Sequence, residues 1–254
     1  MKIIFPEYDN GIIQAALQES DITAVKADNL EDACAKLKAG QADALIAGID
    51  YTTREVVLAC KNYLGMKGET FSSCFLLLPP ENTNSPTSRP YILADAGVTK
   101  NPTAAQLKDI ILQTADSARK LLKEEPKIAV LSFSTKGSAK DDSIDKIHAS
   151  LSLVKQQAPD LIIDSELQLD AAINPEIAKK KCPDSPLKGE ANVLIVPDLN
   201  SGNILYKAFE QLGGYTAAGP LLQGFNFPAS DLSRGSTKED VLLVINSLKR
   251  LSKA

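Results

Sequence analysis

The residue types best suited to chemistry lie in one run, DLSRGSTKED, from Asp231 to Asp240. Within it, Ser233 brings a hydroxyl, Arg234 a guanidinium and Asp240 a carboxylate. A guanidinium can hold phosphate or carboxylate oxygens through two parallel hydrogen bonds, and a carboxylate can accept a proton. The run therefore predicts a site that handles an anion and moves a proton. An ordinary loop before a helix is the alternative that this run alone leaves open.

A helix is expected to begin just after Ser233 and Arg234. Apolar side chains recur at helical spacing over residues 236–251, and Ser236 with Glu239 three positions later predicts a capping box. Free backbone N–H groups and the positive end of the helix dipole favour an anion directly before such a helix. The carboxylate of the run falls in the first turn, where an acid that merely favours the dipole is the other interpretation.

Polar side chains after two other predicted strands are candidates for substrate contacts. Ser134, Thr135 and Lys136 follow the pattern KIAVLSF and offer two hydroxyls and an ammonium, as a phosphate-contacting loop does. A surface turn is an equally open interpretation of that loop. Asp198 and Asn200 follow the pattern NVLIV, where they either point into a site or cap the next helix.

The remaining reactive side chains receive structural interpretations. Asp164, Glu166 and Asp170 are candidates for paired carboxylates or a metal site, but a solvated junction between a strand and a helix is favoured. His148, the only histidine, lies in a helical pattern and is expected at the surface or boundary, outside any Ser-His-Asp triad. The cysteines are expected to be small buried residues, with Cys182, in a predicted loop, as a candidate reactive thiol. The absence of GxSxG, GxGxxG and P-loop motifs argues against a serine hydrolase, a Rossmann dinucleotide site and an NTPase.

Two hydrophobic periodicities alternate along the chain. Short β-branched runs predict strands at KIIF, TAVKA, ADALIAG, SCFLLL, YILAD, KIAVLSF, LIIDSE and NVLIV. Amphipathic segments between them predict helices at 30–39, 54–63, 103–123, 143–157, 175–180 and 203–212. This order predicts an α/β fold with mainly parallel sheets covered by helices. The polar, proline-rich stretch from Pro79 to Pro90 is predicted to be a hairpin connection or a mobile lid.

Composition limits the functional class further. The chain has 254 residues, and its 28 basic against 32 acidic residues leave a net charge of −4. That balance, with few aromatic residues, argues against a nucleic-acid groove or a polybasic membrane patch. The cysteines form no CxxC and neither a zinc-finger spacing nor a disulfide framework is indicated. No signal peptide and no membrane-spanning run is recognised, so a cytoplasmic location is expected.

Longer segments of the chain match one known family in order and spacing. They are LSFSTKGSAK from Leu131, DSELQLDAAI from Asp164, KKCPDSPLKGEANVLIVPDLNSGNILYK from Lys180 and GPLLQGFNFPASDLSRG from Gly219. Together they resemble the phosphate acetyl/butyryltransferase family, the phosphotransacetylases. The resemblance is dense from about Asp95 onward, extends back through SSCFLLLPP to ADALIAG, and is thin before that.

The resemblance implies a fold of two α/β domains with a ligand cleft between them, similar to isocitrate and isopropylmalate dehydrogenases. Mapped onto this chain, domain one is 1–67 plus 223–254, and domain two is 68–222. The run DLSRG is then expected at the cleft. Because a typical member has a considerably longer stretch before ADALIAG, domain one is expected to be a reduced version.

The resemblance also implies a reaction, the movement of an acyl group, most simply acetyl, between phosphate and the thiol of coenzyme A. It assigns Asp240 as the base, Ser233 as the hydroxyl that hydrogen-bonds the acyl phosphate, and Arg234 as the phosphate-binding guanidinium. It implies a ternary complex without a covalent enzyme intermediate, no metal and no permanently bound cofactor, with coenzyme A as a substrate. Homodimers are common in the family.

Departures from the family pattern keep a second function open. Leu58 and Gln211 stand where the family has arginines, and a third arginine belongs to the shortened stretch. Arg54 lies four residues before Leu58, on the same helical face, and is a candidate replacement; a solvated arginine at a helix start is the alternative. The second function is a domain that binds acyl-coenzyme A or phosphate in a regulatory or structural role, as do phosphotransacetylase-like domains fused to malic enzymes.

Overall fold

The structure is a computed structural model that describes residues 1–81, 85 and 87–252. The chain forms two compact units, one of Met1–Ser73 with Ala218–Ala254 and one of Cys74–Ala217. These limits lie a few residues from the predicted domain limits at 67/68 and 222/223. The assignment of functional domains, and the ligand cleft that the resemblance implies, stay predictions.

Strands and helices alternate along most of the chain. The strands are β1 (Lys2–Phe5), β2 (Thr23–Lys26), β3 (Ala44–Ala47), β4 (Ser72–Leu78), β5 (Tyr91–Ala94), β6 (Lys127–Leu131), β7 (Ile162–Leu167), β8 (Val193–Ile195), β9 (Thr216–Gln223) and β10 (Ala229–Asp231). The helices are α1 (Gly11–Glu19), α2 (Leu30–Lys38), α3 (Thr53–Ala59), α4 (Ala104–Leu122), α5 (Asp142–Gln157), α6 (Leu169–Ile173), α7 (Pro175–Lys181), α8 (Leu199–Gln211) and α9 (Lys238–Leu251). A π-helical segment, Cys60–Leu64, directly continues α3.

In the first unit the strands run in the order β2, β1, β3, β10 and β9. The first four are parallel to their neighbours, and β9 is antiparallel to β10. β3 has the sequence ALIA and is buried throughout, as expected for a parallel strand covered on both faces. The carboxyl ends of β1, β3 and β10 therefore meet at one edge of this unit.

In the second unit the order is β4, β5, β8, β6 and β7. β4 is antiparallel to β5, and the other neighbours are parallel. Leu77, Tyr91, Leu131 and Leu194 lie in one buried cluster, and half-buried Phe209 of α8 packs against it. The carboxyl ends of β5, β8, β6 and β7 form a second edge.

The predicted α/β class with mainly parallel strands is confirmed, as are the predicted strands and helices, with end shifts of a few residues. The helix predicted over 54–63 is divided, because α3 ends at Ala59 and gives way to the π-helical segment. The connection predicted from Pro79 to Pro90 falls partly on residues 82–84 and 86, outside the described residues. Among the helices described, none is both long and apolar enough to cross a membrane.

Candidate functional site

The carboxyl-end edge of the first unit leads to the three predicted catalytic residues, Ser233, Arg234 and Asp240. Three loops start there, after β1, β3 and β10, and in parallel α/β sheets ligands bind outside this end of the strands. The loop after β10 contains Ser233 and Arg234 and leads to Asp240 in α9. The loop after β3 leads to α3, which carries Arg54. Four of the predicted site residues thus belong to two neighbouring connections of one unit.

The loop after β10 is a tight turn that leaves its arginine exposed. The Ser233 N–H donates to Ser236 Oγ over 3.0 Å, and the Gly235 N–H donates to Ser233 Oγ over 3.2 Å. Arg234 is exposed, and no hydrogen-bond or ion-pair partner of its guanidinium is present within the described ranges. A cation without an internal partner, just before a helix N-terminus, is available to an anion from solution.

Arg234 also acts electrostatically on the start of α3. The pKa of Glu55 is lowered, first by the hydrogen bond from the Thr52 N–H and, more weakly, by the positive charge of Arg234. Arg54 and Leu58 are both exposed on α3, one helical turn apart. Arg234 and α3 therefore face a common region within this unit, as a site shared by the two guanidinium groups requires.

Asp240 caps the helix in which it lies. The predicted capping box of Ser236 and Glu239 is wrong, because the box is formed by Thr237 and Asp240. Asp240 Oδ2 accepts from the Thr237 N–H over 2.8 Å and from Thr237 Oγ1 over 3.0 Å. Ser and Thr are both good N-cap residues, and Thr237, one position closer to the helix than Ser236, is the one that caps it. The cap engages Oδ2, so Asp240 has a structural role, and Oδ1 lies outside the cap.

Asp231, the last residue of β10, was not among the predicted site residues. Its side chain is 1% exposed, and Oδ1 has no hydrogen-bond partner in the described structure. Burial raises the pKa of Asp231 to about 6, against a hydrogen bond from Thr53 that lowers it, and the charge of Glu7 raises it further. Its sequence signal was weak, because the three-residue strand that ends at Asp231 was not predicted.

The neighbouring loops are built around the same carboxylates. Glu7 is buried and accepts hydrogen bonds from the backbone N–H groups of Gly48, at 2.8 Å, Tyr51, at 3.0 Å, and Asp50. Gly48 has φ +114°, and a Cβ there would lie 2.4 Å from Asp231 Oδ1. Any side chain at this position would collide with the carboxylate, so the close approach of β3 to Asp231 requires glycine.

The second unit places the other predicted site residues along its own carboxyl-end edge. Asp198 caps α8, since its Oδ1 accepts from the Ser201 N–H over 2.9 Å and from Ser201 Oγ over 3.1 Å. Asn200 is exposed in the first turn of that helix, and Gln211 is exposed at its end. Asn200 is thus open to a ligand, whereas Asp198 has the capping role.

Ser134, Thr135 and Lys136 already have partners inside the second unit. Ser134 Oγ donates to Glu166 Oε1 over 2.7 Å, Thr135 Oγ1 donates to Gln168 Oε1 over 3.3 Å, and Lys136 pairs with Asp164. Ser134 and Thr135 are buried, while Lys136 is partly exposed. A substrate contact from this loop therefore has to add to internal bonds or displace them.

The interpretation of the acidic segment after β7 needs correction. Asp164 and Glu166 are 6% and 1% exposed, so the solvated junction is wrong for both. Asp170 fits it better, since its partly exposed carboxylate pairs with Lys181 over 2.7 Å. Residues 164 and 166 are buried because they hold the loop after β6, a tertiary role that alternation along one strand does not reveal.

Two single-residue predictions have opposite outcomes. The boundary position of His148 is confirmed, because its side chain is 51% exposed while Nε2 lies 2.6 Å from Glu166 Oε2. The interpretation of Cys182 as a reactive thiol is wrong, because the residue is buried and burial raises its pKa. In the described parts of the chain, no group of three or more His, Cys, Asp or Glu side chains is arranged to hold a metal ion.

Comparison with known proteins gives one consistent family. A family model described as Phosphate acetyl/butaryl transferase matches residues 4–246. A phosphate acetyltransferase from Paracoccus denitrificans is 42% identical over 216 residues, which cover 85% of this chain and 68% of that protein. A solved phosphotransacetylase from Streptococcus pyogenes has a TM-score of 0.86 at 32% identity, covering 100% of this chain and 94% of that one. One from Staphylococcus aureus has a TM-score of 0.85 at 29% identity, with the same coverage.

Proposed function

This chain belongs to the phosphate acetyl/butyryltransferase family, and we propose that it is an enzyme that moves a short acyl group, acetyl first, between coenzyme A and inorganic phosphate. The curated relatives that share about 40% of its residues carry the name phosphate acetyltransferase, and the chain spans about two thirds of their length. Coenzyme A and an acyl phosphate or phosphate are its substrates, and the reaction needs no permanently bound cofactor.

The observation that carries this proposal is the exposed guanidinium of Arg234, which has no partner among the described residues and lies beside Ser233 at the N-terminal side of α9. Phosphate is the anion for which a guanidinium fork and a nearby hydroxyl are best matched. Arg54 supplies a second guanidinium on the adjacent α3. The first unit thus offers two cations and a hydroxyl to the phosphate of an acyl phosphate.

The chemistry is direct transfer in a ternary complex. The thiol sulfur of coenzyme A attacks the carbonyl carbon, its proton passes to Asp240, and the bond between that carbon and the phosphate oxygen breaks. Arg234 stabilises the negative charge of the departing phosphate, and Ser233 hydrogen-bonds the reacting acyl phosphate. Further substrate contacts are assigned to Ser134, Thr135 and Lys136 in the loop after β6, and to Asp198 and Asn200 at the start of α8.

The setting of the enzyme follows from the same proposal. It works in the cytoplasm as a homodimer, without nucleic-acid or membrane partners. Self-association is supported by two exposed apolar side chains, Ile204 in α8 and Leu212 directly after that helix, which are 69% and 88% exposed. Large exposed apolar side chains are typical of interfaces. The net charge of −4 supports the absence of a nucleic-acid partner.

A specific observation favours a second candidate. The resemblance implies arginines at the positions of Leu58 and Gln211. Both residues are exposed, and neither carries a charge. Loss of such charge-assisted contacts is worth about 1.5–3 kcal/mol each. The second candidate is a domain that binds acyl-coenzyme A or phosphate in a regulatory or structural role without turnover.

One experiment separates the two candidates. Thioester formation is followed with purified protein, coenzyme A and acetyl, propionyl or butyryl phosphate, while coenzyme A binding is measured by calorimetry. Turnover with at least one acyl phosphate, fastest with acetyl, is expected. Binding of coenzyme A without turnover of any of the three would establish the second candidate instead.

A further inference from the structure

The loop after β6 is folded around a carboxylate of the protein itself. In the STKGS loop, Ser134–Ser138, residues Lys136 and Gly137 both have left-handed backbone conformations, with φ 51° and 82°. Such turns direct successive N–H groups into a concavity that binds anions. The buried carboxylate of Glu166 occupies this concavity, where its Oε1 accepts from the Gly137 N–H over 2.7 Å.

No backbone N–H of this loop is left for an external anion. The N–H groups donate, in chain order from Ser134 to Ala139, to Ser132 Oγ (3.2 Å), Ser138 Oγ (3.0 Å), the Glu166 carbonyl (3.3 Å), Glu166 Oε1 (2.7 Å), the Thr135 carbonyl (3.2 Å) and Ser134 Oγ (3.0 Å). A phosphate would therefore have to displace protein acceptors to enter. One of these six N–H groups thus donates to the Glu166 carboxylate, and neutral oxygens of the protein accept the other five.

Glu166 has more donors than one loop supplies. Its Oε1 also accepts from Ser134 Oγ over 2.7 Å, and its Oε2 lies 2.6 Å from His148 Nε2 on α5. Burial alone raises the pKa of Glu166, but the hydrogen bonds from Gly137, Ser134 and His148 outweigh it and hold the pKa at about 2. The carboxylate is therefore ionised at any pH at which the enzyme works, as an internal anion must be.

The end of β7 holds the loop at two further points. Lys136 Nζ binds the Asp164 carboxylate and donates to the Ser165 carbonyl over 3.0 Å. Thr135 Oγ1 accepts from the Gln168 N–H over 2.9 Å. Glu166 lies between these two attachments in the chain, so its removal would leave the middle of the loop unsupported.

We propose that Glu166 is a positioning residue for acyl transfer, whose carboxylate fills the anion site of the STKGS loop and fixes the loop hydroxyls and Lys136 in place. This inference rests on the proposed function, in which the loop contacts substrate. It adds that the substrate phosphate does not bind in the concavity of this loop. The loop serves the reaction through the geometry that Glu166 imposes.

The test is chemical rescue of a variant that empties the anion site. Glu166→Ala is assayed for Tm and for kcat and KM with coenzyme A and acetyl phosphate, with and without formate. We expect kcat/KM to fall by about tenfold or more, and formate to restore both activity and Tm in a saturable way. Wild type and the control Glu190→Ala, which loses a surface partner of Lys127 in the same unit, should not respond to formate.

Each contrary result is informative. Wild-type kcat and KM in Glu166→Ala, with a lower Tm, would leave Glu166 a purely structural role. A lack of rescue, or an equal effect of formate on wild type, would show that the carboxylate is not an internal anion. If wild type itself has no turnover, the proposed function and the positioning role fail together. The effect of formate on the Tm of the variant still decides whether the emptied site binds an anion.

A second variant covers failure of the alanine variant to fold. Glu166→Gln keeps size and one acceptor oxygen, but its amide nitrogen cannot accept the proton of His148. We expect a smaller loss of kcat/KM, and expect His148→Ala to cost little once Glu166→Gln is present, because both remove the same bond. Full additivity of the two changes would contradict the proposal.

Discussion

At the scale of single residues, activity depends on whether Arg54 can replace the arginine that the resemblance implies at the position of Leu58. The Arg54 guanidinium stands one turn before Leu58, where the family resemblance implies an arginine, and both side chains are exposed on α3. Positions four apart share a helical face, and an arginine side chain can span one turn. Arg54 can therefore bring its charge into the region that a family arginine at position 58 would reach.

If Arg54 replaces that arginine, Arg54→Ala should raise the KM for acetyl phosphate by about tenfold, since one charge-assisted contact is worth roughly 1.5–3 kcal/mol. Adding Leu58→Arg to this variant should recover part of the loss. Steady-state kinetics measure both effects. Arg119→Ala, which removes a surface cation paired with Asp116 and Glu125, is the control and should leave KM unchanged. An unaltered KM in Arg54→Ala would exclude the replacement.

The proposed role of Asp240 as the base can be separated from its role in the helix cap. Asp240→Asn keeps size and an acceptor oxygen for the cap but cannot take the thiol proton, so kcat should fall by about a hundredfold or more. The affinity for coenzyme A, measured by calorimetry, should change little. A loss of binding as large as the loss of rate would remove Asp240 from the role of base.

The control for that variant is the other half of the capping box. Thr237→Ala removes the cap but retains the carboxylate, so it should lower the free energy of unfolding by about 1 kcal/mol. Urea unfolding measures that loss. Most of kcat should survive in Thr237→Ala if proton transfer, and not helix capping, is what Asp240 contributes to the rate.

At the scale of elements, the strand ends of the first unit set the properties of Asp231. β3 and β10 are parallel, and the carboxylate at the end of β10 is buried against Gly48 after β3. Burial raises the pKa of Asp231 to about 6, above its ordinary 3.8. The folded state therefore holds this proton more tightly than the unfolded state, and the associated stability is full below about pH 4 and lost as the pH rises through 6.

Asp231→Asn should remove this pH dependence. Relative to wild type, the variant should gain stability between about pH 4 and pH 7, by an amount on the order of 3 kcal/mol. Urea unfolding of both proteins across this range measures the difference. Parallel stability curves for the two proteins would show that Asp231 titrates normally.

The strands also show which elements sequence patterns predict and which they miss. Predicted strands such as KIIF and KIAVLSF are confirmed because buried parallel strands are apolar along their length. β9 was missed because TAAGPLLQ contains glycine and proline, and β10 because it has only three residues. The strand that carries the candidate catalytic loop is thus the one with the weakest local signal.

At the scale of the whole molecule, the α/β fold and the family followed from the sequence. The contacts of the buried carboxylates did not. The run DLSRGSTKED indicated Ser233, Arg234 and Asp240 through residue type and position before a helix. The burial of Asp231, Glu7 and Glu166 depends on contacts between segments distant in the chain. Periodicity within one segment contains no information on such contacts, so the burial of these carboxylates emerged only from the structure.

The central claim, phosphate acyl transfer at the loop after β10, is tested most directly by the rate of acetyl-coenzyme A formation by wild type and by Arg234→Ala. Wild type should turn over, and the variant should lose activity by about a hundredfold with an unchanged Tm, because Arg234 is exposed and has no partner in the described structure. Arg234→Lys should recover only part of the rate, since an ammonium lacks the guanidinium fork. Full activity in Arg234→Ala, or no turnover by wild type, would contradict the account.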